Sequence, residues 1–208
     1  MSDDDWAMAD AAMSLQRAGV PPELIYDELL IPIARDLGRK WEEDECDFVD
    51  VTNGVWQLQN AQRALSPAFR GRGSASVSGP HVALMPLPGE QHTFGVTIVA
   101  DYFARAGWQT WCGRVDSAEQ AAALVQGRHF DLVGLSIACD EHIASAERLI
   151  AQLRQRSLNP QMAIMVGGSR LLDDPALARR IGADGTAATG RQAVSQGFAL
   201  IRQQSAIQ

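Results

Sequence analysis

The run His81-Val82-Ala83-Leu84-Met85-Pro86-Leu87, followed at once by Pro88-Gly89-Glu90-Gln91-His92-Thr93-Phe94-Gly95, decides how the rest of the chain is read. The first part is a short apolar stretch of strand type; the second is a polar loop leading into helical spacing near 93–106. Towards the C-terminus the same alternation returns. Strands are expected at Trp108–Cys112, Asp131–Ile137, Met162–Val166 and Gly185–Ala188, with helices near 117–127, 141–156, 172–181 and 190–204. Strands alternating with helices in this way predict an α/β fold, a flavodoxin- or Rossmann-like five-stranded parallel sheet wound on both faces. In such sheets ligands sit at the carboxyl ends of the strands, where the strand order reverses. The loops after the first, third and fourth strands are therefore the place to look.

Towards the N-terminus, Ser66–Pro80 is rich in Gly, Ser and Pro and shows no apolar period, which marks a linker. The expected organisation is a small helical bundle at 1–65, a linker at 66–80 and the α/β domain at 81–208. Within the bundle, Pro21-Pro22 opens a helix whose apolar positions Leu24, Ile25, Leu29 and Ile33 recur at helical steps towards Leu37, with Pro32 as a point of kinking. A second helix, Phe48–Leu65, has Asp47 as its N-cap and Phe48, Val51, Val55, Leu58 and Ala61 near one face. Residues 6–18 form a weaker third helix.

Composition narrows the classes. The 208 residues are 46% hydrophobic, enough for a sizeable core, and 18 Gly with 9 Pro exclude collagen-like and low-complexity chains. No apolar run approaches the ~20 residues that span a bilayer, and the acidic start Met1-Ser2-Asp3-Asp4-Asp5 is unlike a secretory signal, so a cytoplasmic protein away from membranes is expected. Cys46, Cys112 and Cys139 are far apart and read as reduced thiols. Residues 1–65 carry 14 acidic and 5 basic side chains, whereas the remainder carries 11 and 13. That acidic first third argues against direct contact with nucleic acid and suits a basic protein partner. No Ser-His-Asp arrangement, P-loop or paired His/Glu metal motif is present, so the chain is not expected to be an enzyme.

Singly, the loop residues say little. A loop histidine is ordinarily solvated, and Gly-Gly after a strand is ordinarily a turn. Their joint spacing is more telling: 40 residues separate Gly95 from Ser136, and 28 separate Ala138 from Gly167. The set Glu90-x-His92-x-x-Gly95, Ser136-x-Ala138 and Gly167-Gly168 resembles the cobalamin-binding domains of methionine synthase, corrinoid carriers, cobalamin mutases and cobalamin photoreceptors. The family pattern is Asp-x-His-x-x-Gly, then Ser-x-Leu, then Gly-Gly. The resemblance implies that His92 coordinates cobalt from below, displacing the dimethylbenzimidazole, whose nucleotide tail enters beside Ser136, Ala138, Gly167 and Gly168, with Thr93 also in the site. The residue types suit those roles. Imidazole is a good transition-metal ligand, and a carboxylate on its other nitrogen fixes the tautomer and strengthens donation. Two positions depart from the pattern. Glu90 stands for Asp, so the loop must absorb one methylene; Ala138 stands for Leu, which thins the packing around the tail. The turn Gly167-Gly168-Ser169-Arg170 also offers a place for a phosphate.

In related corrinoid proteins the helical bundle caps the upper face of the cofactor. Photoreceptor repressors show Trp, nine residues, then Glu-His there; this chain has Trp41, nine residues, then Val51-Thr52. The stretch Leu37–Asp44, with Phe48–Thr52 and Trp56–Gln59, is similar to regulators of the PpaA/AerR type, antirepressors of photosynthesis genes related to the heme-or-cobalamin sensor domain of AppA. This resemblance implies a cobalamin-based light or redox (oxygen) sensor acting on a PpsR/CrtJ-type repressor, with Trp41, Val51, Thr52 and Trp56 towards the upper face and the form of cobalamin open. As large aromatics at helical spacing, Trp41 and Trp56 are by residue type expected in a core more often than at a cofactor. His142 is an alternative candidate ligand, but its position six residues after Ser136 places it on the tail side of the sheet, where it reads as a solvated or capping residue; His81 and His129 read as structural or exposed. A methyl-shuttling corrinoid carrier shares the same domain plan, and a heme sensor on the same fold would use the same histidine. Retention of Ser136 and Gly167-Gly168 favours a ligand with a nucleotide tail.

Overall fold

The structure, a computed structural model, describes residues 6–71 and 79–205. The chain divides into two compact units, Met1–Arg72 and Gly73–Gln208. Among the described residues no helix is long and apolar enough to cross a membrane.

The C-terminal unit is a five-stranded parallel sheet, β1 (His81–Pro86), β2 (Gln109–Cys112), β3 (Leu132–Ser136), β4 (Ala163–Gly167) and β5 (Gly185–Thr186), in the order β2-β1-β3-β4-β5. The order reverses between β1 and β3, which pair from Val82↔Leu132 to Pro86↔Ser136. Their following loops therefore meet at the switch point, where this class of sheet binds ligands.

Because side chains alternate across a strand, the apolar runs feed two cores. Ala83, Met85, Val133, Leu135, Ile164 and Val166 face one layer, built on α6 (Ala118–Gly127) and α7 (Ile143–Arg156). Val82, Leu84, Leu132, Ala163 and Met165 face the other, covered by α5 (Phe94–Arg105) and α10 (Gly190–Ser205). Trp108 anchors this second layer edge-on to Phe103, their ring centres 5.0 Å apart. The single helix expected near 172–181 is instead two short ones, α8 (Ser169–Asp173) and α9 (Leu177–Arg180). They are interrupted at Pro175, which cannot donate to a helical ladder.

The N-terminal unit is helical: α1 (Ala7–Arg17), α2 (Pro22–Ile25), α3 (Ile31–Glu42) and α4 (Phe48–Arg70). A π-helical turn, Tyr26–Leu30, joins α2 to α3 directly before Pro32. The wider turn is where the chain accommodates a residue that lacks an N–H. Tyr26 is buried, stacks on Phe69 and donates its hydroxyl hydrogen bond to the Gln62 carbonyl. Asp47 caps α4 through a full capping box with Asp50. The helix passes through Pro67 to Arg70, so the first five residues read as linker are helical; Phe69, fully buried, gives that extension its packing. Residues 72–78 of the expected linker lie outside the described residues. Phe48, expected on the packed face, is 72% exposed.

Candidate cofactor site

The loop after β1 turns at Leu87-Pro88-Gly89-Glu90, closed by the Glu90 N–H donating to the Leu87 carbonyl at 2.9 Å. Pro at the second position and Gly89 at φ +88° define a type II turn, which needs the left-handed conformation that glycine adopts without cost. The turn sends Glu90 inward and His92 outward: the Glu90 side chain is 1% exposed and that of His92 68%.

Glu90 is the hub of the site. Its Oε1 accepts the His92 backbone N–H at 3.1 Å and lies 2.5 Å from His92 Nδ1. Its Oε2 accepts the Ala138 N–H at 3.0 Å and stands 3.3 Å from His142 Nδ1. One carboxylate thus ties the β1 loop to the β3 loop across the switch point. Burial works against its charge, but the His92 N–H, the His92 imidazole and the Ala138 N–H outweigh that and hold its carboxyl down at about 2. Glu90, standing where the family pattern has Asp, thus reaches Ala138 with one oxygen and His92 with the other.

An ionised carboxylate against Nδ1 keeps the imidazole proton on that nitrogen and leaves the Nε2 lone pair available on an exposed ring. That is the arrangement of a metal-ligating histidine with an oriented second partner. Gly95, at the start of α5, would place a Cβ in open space, so the protein's own packing does not require glycine there. Ser136 ends β3, half-buried, beside Gly167 at the end of β4. Next to it on β5, Thr186 Oγ1 is buried with no hydrogen-bond partner among the described residues. Thr186 also lines a cleft of about 110 Å³ with Leu171, Leu172, Pro175 and Ala187. An exposed imidazole donor, open room at Gly95 and an orphaned hydroxyl beside the strand ends fit a corrinoid with a polar tail.

Gly168 has a different reason to be glycine. At φ +110° its Cβ would lie 2.2 Å from the Ile137 carbonyl oxygen, so the two loops could not approach as they do. Gly167 meets only an ordinary contact, Ala187 O at 3.7 Å. Thr93 is the N-cap of α5 and makes no side-chain capping bond. The phosphate expectation for the 167–170 turn meets a helix of only five residues, and Arg170 is committed to Asp140 and Asp173. The reading of His142 as a solvated or capping residue is corrected: its side chain is 20% exposed, makes no cap bond to α7 and turns to Glu90 instead. Sequence reasoning also missed the Ala138 N–H and Ser169 Oγ, which donates to the Ala138 carbonyl. The spacing Cys139-x-x-His142, directly after Ser136-x-Ala138, was the available signal. His81 and His129 pair edge-on, their ring centres 6.4 Å apart, at the opposite end of β1.

Trp41, Val51, Thr52 and Trp56 belong to the N-terminal unit, at the end of α3 and the first turns of α4. Trp41 is 48% and Trp56 37% exposed, so neither is a core residue; Trp56 meets Trp6 edge-on. Thr52 Oγ1 donates to the Phe48 carbonyl.

Residues 80–196 match the family described as B12 binding domain. The chain belongs to that family, and cobalamin is its cofactor. It is 26% identical over 167 residues to an uncharacterized 20.5 kDa protein of the bchF-crtJ intergenic region of Rhodobacter capsulatus, covering 80% of this chain and 86% of the relative. It is 28% identical over 167 residues to the HTH-type transcriptional repressor CarH of Myxococcus xanthus, covering 79% of this chain and 53% of that protein, so it spans about half of CarH. It is 23% identical over 182 residues to the trimethylamine corrinoid protein of Methanosarcina barkeri, covering 87% and 83%. In three dimensions it is similar to the monomethylamine corrinoid protein of the same organism, with a TM-score of 0.77, 20% identity and coverage of 96% and 100%. A cobalamin-binding protein from Desulfitobacterium hafniense shares the fold at a TM-score of 0.54 and 19% identity, covering 96% and 99%. The five-stranded sheet is thus the Rossmann-like B12-binding fold, preceded by a helical unit.

Proposed function

We propose that this chain is a cobalamin-based sensor that acts on transcription through a partner protein, as an antirepressor of a PpsR/CrtJ-type repressor. The observation that carries cobalamin use is the exposed His92 imidazole, its Nδ1 held by buried Glu90 and its Nε2 turned outward. The regulatory reading is supported by the relative in the bchF-crtJ region, matched over most of both chains, and by the similarity to CarH. The acidic 1–65 segment supports a basic protein partner over nucleic acid.

His92 would hold the lower face; Ser136, Ala138, Gly167 and Gly168 would line the tail; Trp41, Val51, Thr52 and Trp56 would line the upper face. The half-exposed state of both tryptophans supports that last role, since their apolar surface is not spent in a core. When bound, cobalamin supplies a cobalt whose upper ligand responds to light or to oxidation state. The residues of α3 and α4 then determine how the repressor-facing surface changes, and they shift the partner only by their differential affinity for its states. The test is repressor binding to its operator, with and without this protein, dark, illuminated and reduced. Relief of binding in one state alone is expected; identical binding in all states contradicts the reading.

A second reading, a corrinoid carrier in methyl transfer, is favoured by the similarity to the trimethylamine corrinoid protein over most of both chains. Turnover of bound methylcobalamin by a methyltransferase would support it.

A further inference from the structure

We infer that Glu90, Cys139 and His142 form a second metal site, for a divalent ion of zinc type, separate from the position that His92 offers to cobalt. Each presents one ligand atom, and these atoms lie within 4.8 Å of one another. The ligands of a tetrahedral zinc stand roughly 3.5 Å apart, so small side-chain adjustments close the set.

The local fold explains the convergence. Asp140–His142 is a 3-10 turn entered from Cys139, and the His142 N–H donates to the Cys139 carbonyl at 3.2 Å. Cys139 is the extended residue just before the turn, and its sulfur and the His142 ring lie on one side of it. That side faces Glu90, whose Oε2 is already 3.3 Å from His142 Nδ1. The turn is pinned from outside by Arg170 on Asp140, at 2.6 Å. Thiolate, imidazole and carboxylate together are a zinc donor set, and three protein ligands leave a fourth position for water.

On binding, the His142 proton moves to Nε2, so that Nδ1 donates its lone pair, and the Cys139 thiol releases its proton to solvent as the sulfur–metal bond forms. Glu90 Oε1 stays on His92. A cation on Oε2 therefore draws charge from the carboxylate that orients the cobalt ligand, which links the two sites through one side chain.

The experiment uses Co²⁺ as a probe on full-length, tag-free, cobalamin-free protein carrying Cys46→Ser and Cys112→Ser, so that Cys139 is the remaining thiol. Expected is one ion per chain with a thiolate-to-metal charge-transfer band, displaced by Zn²⁺. Cys139→Ser should abolish the band, and His142→Ala should weaken Zn²⁺ affinity by at least roughly tenfold. Absence of the band in the parent, its survival in Cys139→Ser, or unchanged Zn²⁺ affinity in His142→Ala overturns the site. No cobalamin is present, so failure here leaves the cofactor reading intact, and failure of that reading leaves this site intact.

Discussion

His92 Nδ1 lies 2.5 Å from Oε1 of Glu90, and the other oxygen of that carboxylate takes the Ala138 N–H from the neighbouring loop. Orientation of the histidine proposed to hold cobalt and closure of the switch point are therefore one interaction. Glu90→Gln should separate the consequences. The amide keeps the size but loses the charge, leaving one of the site's N–H groups facing a donor. A stability loss of about 1–3 kcal/mol is expected. Thermal unfolding of cobalamin-free protein checks it.

The same carboxylate sets a pH dependence. Its carboxyl is lowered from 4.5 to about 2 in the folded protein. The stabilisation is present in full above the unfolded value and is lost as the pH falls through the folded one. Acid unfolding between pH 4.5 and 2 should carry a contribution of at most roughly 3 kcal/mol, absent in Glu90→Gln. Chemical denaturation at stepped pH values measures it; equal pH slopes for the two proteins would contradict it.

Two glycines of the cofactor motif should answer to different tests. Gly168→Ala places a Cβ against the Ile137 carbonyl at positive φ, and should cost about 2 kcal/mol or more. Gly95→Ala meets open space inside a helix, so stability should hold or rise by up to ~1 kcal/mol, while cobalamin retention falls. Melting curves alongside retention after desalting distinguish the two.

Trp41→Ala should leave the melting temperature nearly unchanged, because the side chain is half exposed. Its effect is expected on the light or redox response of the bound cofactor, read by difference spectroscopy.

How much of this was legible in the sequence follows from the range of the interactions. Strand identity rests on local apolar runs, and all five strands lie within a residue or two of their expected bounds. Asp47 as cap and Pro-Gly before Glu90 are equally local. The end of α4 was not legible, because Phe69 packing on Tyr26 is a contact over 43 positions that overrides Pro67 and the small residues after it. In the site, Glu90 with His92 could be read from the motif's resemblance to the cobalamin-binding pattern. His142 could be read only as an alternative ligand and the Ala138 N–H not at all, since both reach Glu90 only through the parallel pairing of β1 with β3. The glycine requirement at 168 comes from the backbone of another loop and leaves no trace in local composition.

The measurement that bears most directly on the central claim is the spectrum of bound cobalamin in wild type and His92→Ala. Protein is incubated with adenosylcobalamin, hydroxocobalamin or heme, desalted, and recorded dark, illuminated and reduced, with paramagnetic resonance of the reduced state. Wild type should retain corrinoid in a base-off form with one histidine nitrogen on cobalt and change its bands with light or reduction; His92→Ala should lose that nitrogen. An unchanged spectrum and affinity in His92→Ala, or retention of heme in place of corrinoid, would contradict the account.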